Sequence, residues 1–404
     1  MGYERRTALR YLRHYPWRTA LLFSGIAVGT AALVIALSLM TGFQQDFRER
    51  ILKGSAHLTA FAPSYGEVLE DAEAVRATLR AVDGVLDAAP VLTSPAMLGG
   101  RDRAAPAYAE IRGVDPEVYS VVADRGESFV EAIERLEDGE GRDGIVLGLG
   151  LARRLDLLEG DPVRVVLPKV RLSPFGPLPR TRTLTVVGTF TSEFLQQDSQ
   201  LAFIHLAAAE RMLKQPGAAS YLELRVEDPD RIDEVQARIE TAVGNGLYLV
   251  NWLEYNADLL RALNVEKLML FLAIGLILLV AGMNILSTLM LMVATKVREI
   301  GILTAMGAGA RNVGRIFMWQ GAILGLAGSA FGLTLGFAVA WAIDRWRLIP
   351  LDPEVYYLSY VPFAPRASDA AVVAVLAFAV CLAATLYPAW KAARLAPVEA
   401  LRHE

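Results

Sequence analysis

Charged residues are scarce in this chain. They make up 21% of its 404 residues, whereas 54% are hydrophobic. A soluble globular domain has about 25% charged and about 45–50% apolar residues, so the composition argues against a purely soluble protein and against intrinsic disorder. Basic residues are not in excess either. The chain has 40 Lys and Arg and 44 Asp and Glu, a net charge of -4, which argues against nucleic-acid binding.

Cysteine and the common catalytic motifs are also missing. The one cysteine, Cys381, excludes an intramolecular disulfide and a Cys-based zinc site, and the four dispersed histidines argue against a His-rich metal site. The sequence contains no G-x-x-x-x-G-K-[ST], H-E-x-x-H or G-x-S-x-G motif. We therefore expect no catalytic residue, no metal site and no cofactor bound by this chain.

Four long segments without any charged residue stand out instead. A helix needs roughly 20 apolar residues to cross the ~30 Å hydrocarbon core, and each segment reaches that length. The segments also lack histidine. Proton- or ion-coupled carriers usually place ionisable groups inside the membrane, so this class of transporter is disfavoured. Buried core helices are the alternative, and for the first segment a signal peptide. The segments are Thr19–Gln45, Leu268–Thr295, Ile316–Ile343 and Ala370–Trp390.

The distribution of Lys and Arg predicts the orientation of these spans. Basic residues lie in the N-terminal segment, in the connection between spans 2 and 3, and in the tail. Segments rich in Lys and Arg beside a span stay in the cytoplasm. We expect a multi-pass protein of the bacterial inner membrane with both termini in the cytoplasm. Residues 43–266 then lie outside, with 24 Lys and Arg against 36 Asp and Glu. The predicted layout is a cytoplasmic N-terminus 1–16, span 17–42, extracytoplasmic domain 43–266, span 267–295, cytoplasmic connection 296–312, span 313–344, external loop 345–368, span 369–390 and cytoplasmic tail 391–404.

The extracytoplasmic segment mixes helical and strand periodicities, which indicates a large α+β domain beside the four transmembrane helices. Asp71–Val82 has the spacing of an amphipathic helix, and Thr183–Phe190 and Tyr221–Val226 alternate as strands do. Pro168–Arg182 carries four prolines, and proline cannot donate to a ladder. We predict a stiff protruding loop there, either a solvated connection or a rigid arm that presents Phe175 to a partner.

The connection Lys296–Gly309 predicts a short amphipathic helix. Val297, Ile300, Leu303 and Met306 recur about every three residues and fall on one face. An exposed apolar stripe needs a partner protein or the lipid headgroups to cover it.

Small residues at four-residue spacing in spans 1 and 3 predict close helix contacts. We expect Gly25 and Gly29 in span 1 to form a seam with another chain. In span 3 we expect the glycines to pack against helices of the same chain; they are Gly321, Gly325, Gly328, Gly332 and Gly336.

Several segments carry a family resemblance. REIGILTAMGA, within Val297–Gly309, resembles the coupling helix of FtsX/MacB-like (type VII) ABC permeases. Ser24–Phe47, Leu172–Pro179 followed by Val186–Phe190, and Leu386–Glu404 resemble the lipoprotein-releasing permeases of the LolC/LolE family. The resemblance covers essentially the whole chain.

The resemblance implies an assembly rather than an enzyme. Two permeases, this chain with a second permease or with a copy of itself, would sit on two copies of a separate ATPase (LolD-like) that binds the ATP and Mg. The complex would lift lipoproteins from the outer leaflet of the inner membrane to a periplasmic carrier (LolA-like). Membrane lipid, but no nucleic acid, completes the expected partners.

The same resemblance suggests which residues act. The ATPase-coupling residues would be Lys296, Val297, Arg298, Glu299, Ile300, Leu303, Met306 and Gly307. The carrier-binding hook would be Pro168, Ser173, Pro174, Phe175, Gly176, Pro177 and Pro179. The lipoprotein cavity would be lined by Met40, Phe43, Leu268, Phe271 and Leu272.

Three other functions stay open at this point. A MacB-like exporter usually carries its ATPase on the same chain, and an FtsX-like regulator of cell-wall hydrolases usually has a smaller external domain without a proline-rich arm. A membrane-anchored enzyme would need a site that the sequence does not contain.

Overall fold

The computed structural model describes residues 3–14, 16–64, 66–100, 105–123, 125–136, 143–173, 176–191, 198–351 and 360–394. The chain divides into two compact units, one with the long apolar helices and one formed mainly by residues 47–260. The helices are α1 Tyr3–His14, α2 Pro16–Gly54, α3 Ala72–Arg80, α4 Pro116–Val122, α5 Glu127–Glu134, α6 Leu149–Leu155, α7 Leu206–Leu213, α8 Ile232–Val243, α9 Trp252–Tyr255, α10 Ala257–Thr295, α11 Val297–Ala305, α12 Ala310–Trp346 and α13 Ala367–Ala393. The strands are β1 Leu58–Phe61, β2 Val85–Gly99, β3 Ala107–Val114, β4 Gly144–Gly148, β5 Pro162–Ser173, β6 Gly176–Phe190, β7 Leu201–His205, β8 Tyr221–Val226 and β9 Tyr248–Asn251.

Four helices, α2, α10, α12 and α13, are long and apolar enough to cross a membrane. Each contains one of the four charge-free segments. We call the unit formed mainly by residues 47–260 the α/β domain. The helix α2 extends past its apolar stretch toward residue 54, and α10 begins before its apolar stretch, at residue 257. Gln44–Gly54 and Ala257–Glu266 contain no proline, so charged residues follow apolar ones without a break in the helix. The charged residues mark the limits of the part that can lie in lipid, and each helix extends beyond that part.

The α/β domain is organised around one long strand, β2. Its first half pairs with β8, which continues the sheet through β1 to β9. Its second half pairs with both β3 and β5. Because β3 pairs with β7, β7 with β4, β4 with β6 and β6 with β5, these strands close into a six-stranded barrel. Closure removes the open edges that an isolated sheet would expose.

Alternation along the strands fills the barrel. Leu92, Ala96 and Leu98 of β2 point into its core, with Ile145 and Leu147 of β4. The outward-facing residues of the same strands pack under α4 and α5, where an aromatic cluster is fully buried. Its rings lie 5.0–6.0 Å apart and belong to Tyr119, Phe129, Phe190 and Phe203.

The glycine stripe of α12 packs against two helices of the same chain, as predicted. A Cβ on Gly332 would lie 2.5 Å from the carbonyl oxygen of Ala27 in α2, and one on Gly325 would lie 2.9 Å from Cβ of Cys381 in α13. The expected seam between chains at span 1 is wrong. A Cβ on Gly29 would lie 3.3 Å from Leu278 of α10, so this face of α2 is already covered within the chain. Residue spacing predicts a close contact but does not reveal which helix supplies it.

We predict that Gly332→Ala destabilises the helical unit. The added methyl would collide with the backbone of α2, and overpacking of this kind costs about 1–3 kcal/mol. The thermal unfolding midpoint of the full chain in detergent measures the effect. The matched control is Gly275→Ala in α10, where a Cβ meets no atom of the described residues within 4 Å and helix propensity favours alanine. Equal midpoints for the two variants would contradict the assigned packing.

Candidate functional site

The short helix α11 lies between α10 and α12 and is held from one side. Ile300 is buried in a cluster with Val293, Val313 and Phe317, and Leu303 is half-buried against a neighbouring cluster of the same helical unit. Val297 is half-buried as well. The predicted apolar stripe is therefore largely occupied by the chain's own helices and is not free for a partner.

The exposed side of α11 carries different residues. Ile302 is 46% exposed and Met306, at the end of the helix, is 81% exposed. Arg298 and Glu299 are also exposed. Periodicity placed Met306 with Ile300 and Leu303, but Met306 follows the last helical residue and turns away from the bundle. The surface available to another protein is therefore Arg298, Ile302 and Met306, of which sequence reasoning missed Ile302.

Gly307 ends this helix in a left-handed conformation with φ +96°. Its N–H donates to the carbonyl of Thr304, and the N–H of Ala308 donates to that of Leu303, both at 3.0 Å. This pair of hydrogen bonds is the Schellman arrangement, which favours glycine. Gly307, which the sequence predicts to be a coupling residue, therefore shapes the helix end and presents no side chain.

A polar contact ties α11 to α1. Lys296 is buried, pairs with Glu299, and its Nζ lies 5.7 Å from the centroid of the Tyr11 ring. Burial and the neighbouring Glu299 carboxylate raise the pKa of Tyr11 to about 12, so the phenol stays protonated at neutral pH. Lys296 and Glu299 therefore make contacts within this chain, to each other and to Tyr11 of α1.

The proline-rich segment is a β-hairpin, so the predicted loop is wrong. β5 and β6 pair through Ser173 and Gly176, with a register irregularity between Leu167 and Val170, next to Pro168. β2 pairs with β5 only at residues 164–166, and β4 pairs with β6 only from residue 185. Among the described strands, the outer half of the hairpin is consequently a two-stranded ribbon with free edges, and prolines are tolerated at edges and bulges.

The hook residues divide between described and undescribed positions. Pro168, Ser173, Gly176, Pro177 and Pro179 lie in the ribbon, which we call the hairpin arm (residues 168–179). Pro174 and Phe175 lie outside the described residues. The structure therefore brings the other predicted hook positions onto one two-stranded element.

An apolar cavity of about 340 Å³ lies at the base of the hairpin arm. Pro168 and Pro179 line it together with Met97 and Tyr108, which are paired across β2 and β3 and are both exposed. Sequence reasoning missed Met97 and Tyr108. The signal was available, because alternation that directs Ala96 and Leu98 inward leaves Met97 as a large apolar residue pointing outward.

The residues expected to line a lipid cavity do not share one environment. Met40 is only 4% exposed and Phe271 packs against a cluster that includes Leu33 and Val373. Met40 therefore cannot line an open surface in this conformation. Phe43, Leu268 and Leu272 are exposed, because helix periodicity separates them from Met40 and Phe271.

The exposed face that includes Leu268 and Leu272 runs along α10. In the most apolar window of this helix 17% of the residues are buried, compared with 50% in α2. Among the described helices that could span a membrane, α10 is therefore the least covered. From Leu268 onward its exposed large apolar residues are Leu268, Met269, Leu272, Leu276, Ile277, Leu279, Val280, Met283 and Leu291.

A polar cluster joins α2, α10 and α13 beside this face. Lys267 Nζ donates to Thr41 Oγ1 at 3.0 Å and pairs with Asp369 Oδ2 at 3.3 Å, and Thr41 Oγ1 donates to the same carboxylate at 2.9 Å. Sequence reasoning did not single out these residues. Lys267 and Asp369 each border a charge-free segment at the end predicted to lie outside, and that shared position was the signal that they could meet.

Comparison with known proteins shows which families share these features. Residues 19–242 match the MacB-like periplasmic core domain family, and residues 271–397 match the FtsX-like permease C-terminal family. The chain is 33% identical to the lipoprotein-releasing system transmembrane protein LolC of Xylella fastidiosa, over 94% of this chain and 92% of the relative. It is 27% identical to LolE of Haemophilus influenzae, over 93% of this chain and 92% of the relative. A solved structure, the periplasmic region of MacB from Actinobacillus actinomycetemcomitans, matches with 10% identity and a TM-score of 0.35, covering 52% of this chain and 94% of that one.

We predict that Lys267 and Asp369 stabilise the helical unit as a pair. Their side chains are 25% and 23% exposed, so removing one leaves a partly desolvated charge without its partner. Lys267→Met and Asp369→Leu should each lower the unfolding midpoint in detergent. The double variant should lose about 1 kcal/mol less than the two single losses added together.

The control is the pair Arg135 and Glu159, whose side chains are 55% and 57% exposed. Such exposed pairs contribute little, so its double-mutant cycle should be additive. An additive result for Lys267 and Asp369 would show that the cluster does not act as a unit.

Proposed function

The chain belongs to the LolC/LolE family of ABC permeases of lipoprotein release, and from this premise we propose that it extracts lipoproteins from the outer leaflet of the inner membrane and passes them to a periplasmic carrier. The observation that carries the proposal is the full-length similarity to LolC, together with the hairpin arm and the exposed face of α11. Both termini are cytoplasmic in this proposal, and the α/β domain lies in the periplasm.

Energy reaches the permease from a separate ATPase. The sequence has no P-loop motif, so nucleotide binding belongs to two copies of a partner subunit. The apolar residues Ile302 and Met306 protrude beside the charged Arg298, and exposed apolar groups of this kind mark protein contact sites. We assign the ATPase contact to this exposed face, whereas Ile300 and Leu303 transmit movement into α10 and α12 because they pack among those helices.

We predict that Ile302→Asp combined with Met306→Asp abolishes ATPase docking. Charge in the centre of an apolar contact costs 2 kcal/mol or more, roughly a 30-fold loss of affinity. Co-purification of the ATPase with the tagged permease measures it, and lipoprotein release from proteoliposomes should fall in parallel. The control is Leu348→Asp, an exposed apolar residue beyond the opposite end of α12. Full co-purification of the ATPase with the double variant would refute the assignment.

Lipoprotein acyl chains enter along the uncovered face of α10. Each buried CH₂ contributes about 0.8 kcal/mol to membrane anchoring, so a triacylated protein does not leave the bilayer unaided. A second permease, or a second copy of this chain, closes the cavity from the other side. Closure of the ATPase dimer then moves the rigid helices between two arrangements and expels the acyl chains.

The hairpin arm recruits the carrier. Its prolines limit the conformations available before binding, so less entropy is lost on complex formation. The apolar cavity at its base, between Tyr108 and Pro179, adds surface that a carrier for acylated proteins can cover.

We predict that replacing Pro174–Pro179 with Gly and Ser abolishes carrier binding and leaves ATPase assembly intact. A flexible ribbon must be ordered on binding, which costs affinity. Pull-down of the carrier measures the loss, and co-purified ATPase reports on integrity. Pro63→Ser, at an exposed bend of the same domain, is the control. Wild-type carrier recovery by the hairpin-arm variant would remove the arm from the proposal.

The experiments also separate the rival functions. A MacB-like exporter or an FtsX-like regulator needs no lipoprotein carrier, so its activity would survive loss of the hairpin arm. Mass spectrometry of the purified complex identifies the ATPase, the second permease and any bound lipoprotein together.

A further inference from the structure

A second cavity, of about 250 Å³, lies in the α/β domain on one face of the sheet β9–β1–β8 and against β3. Alternation places Thr59 and Phe61 of β1 and Tyr221 and Glu223 of β8 on this face, where Thr59 lies opposite Glu223 and Phe61 opposite Tyr221. The intervening residues, such as Leu58 and Leu222, face the apolar core on the other side. The strands thus build a polar cavity on the back of a hydrophobic core.

One arginine in the cavity is paired with two carboxylates. Arg112 donates from Nε to Glu110 Oε1 at 3.0 Å and from Nη1 to Glu223 Oε1 at 3.3 Å. Thr93 also donates to Glu110, at 3.1 Å. Glu110 Oε1 and Glu223 Oε1 therefore accept hydrogen bonds from Arg112, whereas Glu223 Oε2 is buried and has no hydrogen-bond partner within the described part of the chain.

A second arginine in the cavity has open donors in the described part of the chain. Arg125 is only 7% exposed, and within the described part of the chain its Nε and Nη1 have no hydrogen-bond partner. Its guanidinium carbon lies 5.7 Å from the ring of Phe129 and 5.6 Å from that of Phe203. The two rings hold the guanidinium in place, but ring faces do not satisfy N–H donors, and a buried charge with open donors is costly.

The size and charge of the cavity limit what can satisfy Arg125. A volume of 250 Å³ holds about eight waters at about 30 Å³ each, or one group of amino-acid size. The open donors of Arg125 suit one negative charge, and Glu110 and Glu223, the latter with its Oε2 unpartnered among the described residues, disfavour a doubly charged phosphate in the same cavity. Burial raises the pKa of Tyr221 well above its ordinary value, so its hydroxyl remains a donor at neutral pH.

We propose that this cavity binds a carboxylate-bearing group of amino-acid size, which Arg125 holds through its open N–H donors. The group is the acidic side chain of a polypeptide or a free small carboxylate. The wall formed by Phe61 and Trp252 accepts its aliphatic part, and Tyr255, 80% exposed, lies at the rim. The proposal does not depend on lipoprotein release, because every group in it belongs to the α/β domain.

Isothermal titration of the full chain in lipid nanodiscs tests the site. The probes are the peptide acetyl-Gly-Ser-Glu-Ser-Gly-amide, the same peptide with Gln in place of Glu, N-acetylglutamate, and inorganic phosphate. We expect the Glu peptide to bind at least tenfold more tightly than the Gln peptide. N-acetylglutamate binding as tightly as the Glu peptide identifies a small carboxylate as the ligand, and weaker binding identifies a polypeptide.

Arg125→Met should lower the affinity for the Glu peptide at least tenfold, and Arg125→Lys should retain part of it. Thr59→Phe fills the cavity and leaves Arg125 in place, so it should also abolish binding if the site is real. Arg135→Met, an exposed arginine of the same domain, is the control, and unfolding midpoints confirm folding. Equal binding of the Glu and Gln peptides, tighter binding of phosphate, no binding to the wild type, or full binding to Thr59→Phe would overturn the proposal.

Discussion

Close backbone contact between α12 and its two neighbours is the constraint on which the helical unit depends. Inside a bilayer, apolar side chains gain nothing by leaving lipid for protein, so helices associate by fitting their surfaces together. The glycine stripe permits this fit. Gly332 and Gly336 admit α2, while Gly321 and Gly325 admit α13. No larger residue fits at these positions without moving a backbone or a rigid side chain.

This packing determines what remains available for other molecules. With α12 between α2 and α13, the apolar face of α10 stays uncovered, and the polar cluster of Thr41, Lys267 and Asp369 holds the three helices together beside that face. The same packing holds α11 by Ile300 and directs Ile302 and Met306 outward. The exposed apolar groups of the described helical unit that the proposed function uses therefore lie on one surface of α10 and on the short helix α11.

In the α/β domain, closure of the barrel determines which segments project from it. Closure through β2 leaves β5 and β6 free to continue beyond the barrel, so the hairpin arm grows from a rigid base. The long strand β2 also joins the barrel to the sheet that carries the cavity around Arg125. The hairpin arm and this cavity thus depend on the same strand, although they involve different chemistry.

The sequence alone determined the four spans, the α+β character of the large domain and the family, because charge-free length, residue periodicity and motifs are properties of short segments. Proline content predicted a loop at the arm, but proline limits hydrogen bonding and does not forbid a ribbon with free edges. Periodicity grouped Ile300 with Met306 and assigned Gly29 to another chain, since spacing defines a face but not its partner. Tertiary structure alone decided that Met40 is buried, that Lys267 meets Asp369 and that Arg125 keeps open donors among the described residues, because each depends on residues far apart in the chain.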